Sequence, residues 1–301
     1  MTGMKYQEEL YKLVPERSYF AGIDSDGCVF DSMEIKQKQF FIPAALKFFD
    51  LLPIEKFVKE TWEFVNLYSI HRGSNRFRAL IRVFDLLAER PEVITSGCRL
   101  PEINSLKRWV NSGVNLSDSS LKTYLQANYD SGLEIVLIWS EKINLEISNR
   151  LHRFPAFPSA LTAIERISEV ADLMIVSQTP LEALEQEWEE HGLRKYVKII
   201  AGQEYGTKSD HIKYAAKGKY HHKKIIMVGD AMGDLQASTE NKILFFPIIP
   251  GREEESWRRF NDQGLGKFLD GTFEEGYQAS LTEEFLEALP SDPPWQDHRS
   301  F

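Results

Sequence analysis

The chain has 301 residues, a net charge of −9, 43% apolar and 27% charged residues. An acidic balance argues against a nucleic-acid partner, and this apolar share builds a core without disulfide or metal staples. Two cysteines, Cys28 and Cys98, fit a reducing cytoplasm, and the absence of a signal-peptide core or a run of about 18 apolar residues argues against export or a membrane partner.

Residues 5–14 read as a short amphipathic helix that ends near Pro15. The run "SYFAGID" follows, apolar and closing on Asp24, which predicts a buried strand over 19–24. From about Met33 to Arg150 the apolar residues recur at spacings of three and four, with breaks at Pro53, Gly73, Pro91, Gly97 and Gly113, so this stretch reads as a helical block. Within it, Ser117 and Asp118 both qualify as caps of the following helix. Beyond Phe157 the pattern alternates. Helix "PSALTAIERISEV" precedes strand "ADLMIVS"; helix "PLEALEQEWEEHG" stops at Gly192 before strand "YVKIIAG". Helix "KSDHIKYAAKG", strand "KKIIMVGD", helix "GDLQASTEN" and strand "ILFFPII" complete the series. The last part of the chain reads as charged helix followed by the Pro-rich tail "LPSDPPWQDHRSF", expected at the periphery.

Strands that alternate with helices predict an α/β fold with a doubly wound parallel sheet. Its first strand is separated from the others by the helical block, far too long for a loop within one domain. The expected organisation is an α/β core made of 1–32 and 151–301, interrupted by a helical cap domain over 33–150.

Ligands of open parallel sheets sit beyond the carboxyl ends of the strands. Asp24 and Asp26 follow the first strand, Ser177 ends the second, Lys208 follows the third, and Asp230 and Asp234 follow the fourth. Two like charges 4 Å apart repel by roughly 4 kcal/mol at an effective dielectric of 20. Carboxylates converging on one crevice therefore need cations: Lys208 supplies one, and a hard divalent ion with oxygen ligands, Mg²⁺ above all, would supply the rest. Lys213, Lys195 and Lys198 are rivals for the lysine position.

Four segments in order, "DSDGCVFDS", "LMIVS", Lys208 and "VGDAMGD", resemble the motifs of the haloacid dehalogenase superfamily, in its phosphatase branch with a helical cap after the first strand, the type of phosphoglycolate phosphatases and β-phosphoglucomutases. The resemblance covers nearly all of the expected α/β unit. It implies that Asp24 is the nucleophile, that Asp26 is the general acid and then the base, and that Ser177 and Lys208 hold the transferring phosphoryl group. It also implies Mg²⁺ bound by Asp24, the Asp26 carbonyl, Asp230 and Asp234. The family's Thr or Val is replaced here by Cys28; a buried cysteine acts as a small apolar residue, so little loss is expected, with an oxidation-sensitive site as the other reading. Asp31 reads as a hinge residue, and Gly27 suits the turn into the cap. Gln178 and Thr179 either border the phosphate or lead into the next helix. In "SIHRGSNRFRALIR", Arg72 and Arg76 either start a solvated helix or recognise a second anionic group on the substrate.

The function implied is Mg²⁺-dependent hydrolysis of a small phosphorylated metabolite through an aspartyl-phosphate. A phosphomutase and a silent sugar-phosphate-binding protein are the alternatives. The substrate and the oligomeric state are not written in these motifs.

Overall fold

The structure, a computed structural model, describes residues 2–149, 154–274 and 276–296. They form two compact units: Met1–Met33 with Arg153–Leu289, and Glu34–His152 with Pro290–Phe301.

The first unit is built on a five-stranded parallel sheet of order β3-β2-β1-β4-β5. Its strands are β1 (Tyr19–Ile23), β2 (Ala171–Val176), β3 (Ile199–Ala201), β4 (Ile225–Gly229) and β5 (Leu244–Pro247). Every residue of β2, β3, β4 and β5 is buried, which is why they read as unbroken apolar runs. Parallel pairing needs long crossovers, and helices Pro158–Ser168, Leu181–Glu190, Lys208–Ala215 and Met232–Asn241 lie between the strands. From β1 the chain order runs outward in both directions: to β2 and β3 on one side, to β4 and β5 on the other. The switch point of the doubly wound sheet is therefore the seam between β1 and β4, and the crevice at its carboxyl end is the place for a ligand.

The ends of the first unit's two connecting segments are pinned together. Phe30 forms an antiparallel bridge with Ala156, the Phe157 N–H donates to the Val29 carbonyl at 2.9 Å, and the Asp31 N–H donates to the Pro155 carbonyl at 2.8 Å. The expected boundary at 150/151 lies outside the described residues.

The second unit is helical, with Glu55–Leu67, Arg76–Glu89, Asp118–Ala127 and Ser131–Ser148 as its longer helices. Ser117, not Asp118, caps Asp118–Ala127: its side chain accepts from the Ser120 N–H. Trp62, Trp109 and Trp139 are fully buried in its apolar core, with Phe77 edge-on to Trp109 at 5.0 Å. Rings of this size bury much apolar area each and carry most of the packing energy of such a core.

The tail beyond Leu289 departs from expectation. It packs on the helical unit rather than extending the sheet unit. The Ile70 N–H donates to the Pro290 carbonyl at 3.3 Å, and Trp295 meets Phe64 at 5.5 Å between ring centroids. Arg90, 3% exposed, lies 4.3 Å from the Trp295 ring and 4.8 Å from that of Phe57, and pairs with Glu60 at 2.6 Å. A buried guanidinium between two aromatic faces is stabilised by their quadrupoles. Replacing Trp295 by Ala removes one face and should destabilise the helical unit by about 1–2 kcal/mol. Amide exchange in Glu55–Leu67 and Arg76–Glu89 should then accelerate; unchanged protection would show that the tail merely rests on the surface.

Candidate active site

Each strand end delivers one part of the crevice. Asp24 continues β1, its N–H donating to the Val228 carbonyl at 2.9 Å, so its position is set by the β1–β4 ladder. Its Oδ1 accepts from the Ser25 N–H at 2.8 Å. Asp230 follows β4 and is 1% exposed. Asp234 lies in the first turn of Met232–Asn241, where its Oδ2 accepts from the Ala231 N–H at 3.1 Å. Gly229 makes this possible: a Cβ there would sit 2.3 Å from the Asp234 Cγ, so only glycine lets the carboxyl lie against the end of β4.

Lys208 opens the helix that follows β3. A capping box holds that helix start: Thr207 Oγ1 accepts from the Asp210 N–H at 3.1 Å, and Asp210 Oδ2 accepts from the Thr207 N–H at 3.1 Å. The ammonium lies 2.8 Å from Asp24 Oδ2 and 2.7 Å from Asp234 Oδ1. The rival lysines are elsewhere: Lys198 bonds the Val14 carbonyl and Asp172, while Lys195 and Lys213 lie over Tyr196 and Tyr214. Lys208 thus joins two of the aspartates.

Asp24, Asp230 and Asp234 offer carboxylate oxygens that all lie within 4.8 Å of one another, a cluster that could hold a metal ion. Burial pushes the Asp24 carboxyl up to about 7, with Asp230 adding to the rise and Lys208 opposing it. Burial likewise pushes Asp234 up to about 6, again against Lys208. Burial disfavours the Lys208 cation too, but Asp234 and Asp24 outweigh it and hold the ammonium charged. One lysine therefore does not balance the buried carboxylates. Three hard oxygen donors around a deficit of positive charge suit a divalent cation of the Mg²⁺ type. His211, on the same helix as Lys208, contributes no charge at neutral pH: burial, then Lys208, lowers it to about 4.

Asp26 stands apart from that carboxylate cluster. Its Oδ1 accepts from the Ser32 hydroxyl, and its Oδ2 accepts from Thr179 Oγ1 at 2.7 Å. Ser177, 2% exposed, extends β2: its N–H donates to the Ala201 carbonyl at 3.0 Å, and its hydroxyl accepts from the Thr179 N–H at 3.2 Å. Gln178 does not lie free along the loop; its side-chain amide donates to the Gly206 carbonyl at 2.9 Å. The contacts of Ser32 and Thr179 with Asp26 are ones that sequence reasoning did not find. Ser32 stands in the quoted "DS" pair, but Thr179 is 153 positions from Asp26, and hydroxyls leave no periodic trace.

Cys28 is fully buried, and burial followed by Asp230 and Asp24 pushes its thiol far up. A thiol held protonated is a poor nucleophile, and its full burial accords with the small apolar role. Its carbonyl accepts from Trp257 Nε1 at 2.7 Å, which locks the turn after Asp26.

Arg72 and Arg76 are both engaged inside the helical unit. Arg72, 3% exposed, donates to the Leu67 carbonyl at 3.1 Å and so caps the end of Glu55–Leu67. Arg76 donates to Ser140 Oγ at 2.9 Å and Asn144 Oδ1 at 2.8 Å, and both of those residues also donate to Asp118.

No family model matches the sequence, and no curated protein matches it. Solved structures with a similar arrangement include a candidate β-phosphoglucomutase from Bacteroides vulgatus, with a TM-score of 0.46 and 14% identity over 90% of this chain and 98% of that one. A candidate phosphoglycolate phosphatase from Lactobacillus delbrueckii subsp. bulgaricus has a TM-score of 0.45 and 15% identity over 76% of this chain and 85% of that one. A haloacid dehalogenase-like family hydrolase from Streptococcus pneumoniae has a TM-score of 0.40 and 16% identity over 80% and 90%. At this distance the chemistry must be read from the side chains themselves. Among the described residues, no helix is long and apolar enough to cross a membrane.

The raised carboxyl values set a test of the metal cluster. With Asp24 near 7 and Asp234 near 6, a metal must displace protons to bind below neutrality. Mg²⁺ affinity should climb as pH rises from about 5 to about 8, with proton release measurable by calorimetry in buffers of different ionisation enthalpy. Affinity that does not change with pH would show that these carboxylates are not the ligands.

Proposed function

We propose that this chain is a Mg²⁺-dependent phosphohydrolase of the haloacid dehalogenase superfamily, cleaving a small phosphomonoester metabolite in the cytoplasm through an aspartyl-phosphate on Asp24. The observation that carries this reading is the Lys208 ammonium held between Asp24 and Asp234 at the switch point of the sheet. A carboxylate there is buried, aimed by the β1–β4 ladder and flanked by positive charge, as a nucleophile toward a phosphate dianion must be.

Asp24, Asp230 and Asp234 would hold Mg²⁺, together with the Asp26 carbonyl. When bound, the ion supplies positive charge that keeps Asp24 ionised and offsets the charge of the phosphoryl oxygens. The steps themselves belong to the side chains. Asp24 forms a bond to phosphorus as the bond from phosphorus to the ester oxygen breaks. Asp26 passes its proton to that departing oxygen. Asp26, now a carboxylate, takes a proton from a water that attacks phosphorus, and the bond to Asp24 breaks with its electron pair returning to the carboxylate. Inorganic phosphate leaves. Lys208 stays paired with Asp24, and the Ser177 hydroxyl, buried at the end of β2, would hydrogen-bond the phosphoryl group.

Asp24→Asn should lower phosphate release from an aryl phosphate by at least about a thousandfold, since it removes the nucleophile while keeping its volume. Wild-type turnover by that variant would refute the mechanism. A phosphate-release screen over sugar phosphates, nucleotides and small acid phosphates then identifies the substrate. An isomerised product without free phosphate would mark the phosphomutase alternative, and no turnover of any of them the silent binding protein.

A further inference from the structure

We propose that Thr179 is a positioning residue for Asp26, holding its carboxyl group in one orientation through both halves of the reaction; this rests on the phosphohydrolase reading above. The contact is direct: Thr179 Oγ1 lies 2.7 Å from Asp26 Oδ2, while Ser32 engages Oδ1. Asp26 is only half-buried and leads into a turn, so its carboxyl group has room to rotate. A donor on each oxygen removes that freedom and fixes the plane of the group.

Thr179 is itself held from two sides. Its N–H donates to Ser177 Oγ at 3.2 Å, and its carbonyl accepts from the Gln203 N–H at 3.2 Å. On either side of it, the Gln178 amide donates to the Gly206 carbonyl at 2.9 Å, and the Leu181 N–H donates to Glu204 Oε2 at 3.0 Å. The loop after β2 is thus stitched to the loop after β3 that leads into Lys208. Gly202 lets the two backbones come this close: a Cβ there would lie 2.7 Å from the Thr179 carbonyl oxygen and 2.8 Å from the Leu181 nitrogen. One brace therefore orders Ser177, Thr179 and the start of the Lys208 helix together, and the Thr179 hydroxyl extends it to Asp26.

A hydroxyl suits this task. It donates to Asp26 when the group is a carboxylate and accepts from it when the group carries a proton. The same side chain can follow Asp26 through proton donation to the leaving oxygen and proton capture from water. An ammonium at this position, a donor only, would serve the carboxylate alone.

The test uses the full chain with Mg²⁺, the variants Thr179→Val and Thr179→Ser, and two probes: p-nitrophenyl phosphate and ethyl phosphate. Nitrophenolate departs without a proton, whereas an ethoxide leaving group needs one from Asp26. Thr179→Val should lower kcat/KM on ethyl phosphate, which reports the transfer step that needs the Asp26 proton, by about ten- to a hundredfold. On p-nitrophenyl phosphate the loss in kcat/KM should be a few-fold, because hydrolysis of the aspartyl-phosphate, common to both esters, falls outside it. Thr179→Ser keeps the hydroxyl and should restore most of the rate. Equal losses on both esters, or no rescue by serine, would reduce Thr179 to a packing role and overturn the proposal. So would wild-type kinetics of Thr179→Val beside an inactive Asp24→Asn, which would leave the phosphohydrolase reading intact. Activity retained by Asp24→Asn would instead overturn that reading and this proposal with it.

Discussion

The sheet unit is organised around one ammonium placed among buried carboxylates. Lys208 reaches Asp24 and Asp234 at 2.8 and 2.7 Å, and all three are largely withdrawn from water. In such a setting an unpaired charge costs several kcal/mol, so each member constrains the others. The lysine needs the capping box that starts its helix. Asp234 needs the glycine at the end of β4. Asp24 needs the ladder between β1 and β4. The parallel order of the strands supplies all of these from one end of the sheet, because every strand in it points its carboxyl end the same way.

That dependence explains which parts of the molecule were legible in the sequence. Buried parallel strands carry no alternation, so "LMIVS" and "IIMVG" announced themselves as apolar runs, and the residue after each run was a candidate by position alone. Lys208 was harder, since β3 has only three residues and Lys195, Lys198 and Lys213 compete for the position; its place in the order of the motifs pointed to it, while the Thr207–Asp210 capping box that sets where the helix begins went unread. The contact from Thr179 to Asp26 was not legible at all. It depends on how two loops cross, and no local spacing encodes that. The arginines were ambiguous for another reason. A cluster of basic residues around Gly73 looks the same whether it awaits an anion or caps a helix carbonyl, and Arg72 does the latter. The Pro-rich tail was read from composition as peripheral, while its single tryptophan carried the contrary signal: a large ring is seldom left in water, and Trp295 covers Arg90.

The same electrostatics bears on whether the crevice is a working site or a relic. Asp24 and Asp234 are raised to about 7 and about 6 by their burial, so ionising them costs free energy that folding must offset. The sign is unfavourable over a defined window: with folded-state values above those of the unfolded chain, these groups subtract stability as pH rises from about 4 toward 7. A protein that used the fold only as a scaffold would gain by exchanging either aspartate for a neutral residue. A destabilising cluster is retained where its chemistry is needed, and ionised carboxylates in a dry crevice are what a metal-assisted attack on phosphorus requires. The strain in the carboxylate cluster and the orientation of Asp26 by two hydroxyls are what the proposed turnover would draw on, with Asp24 as its nucleophile and Asp26 as its proton carrier.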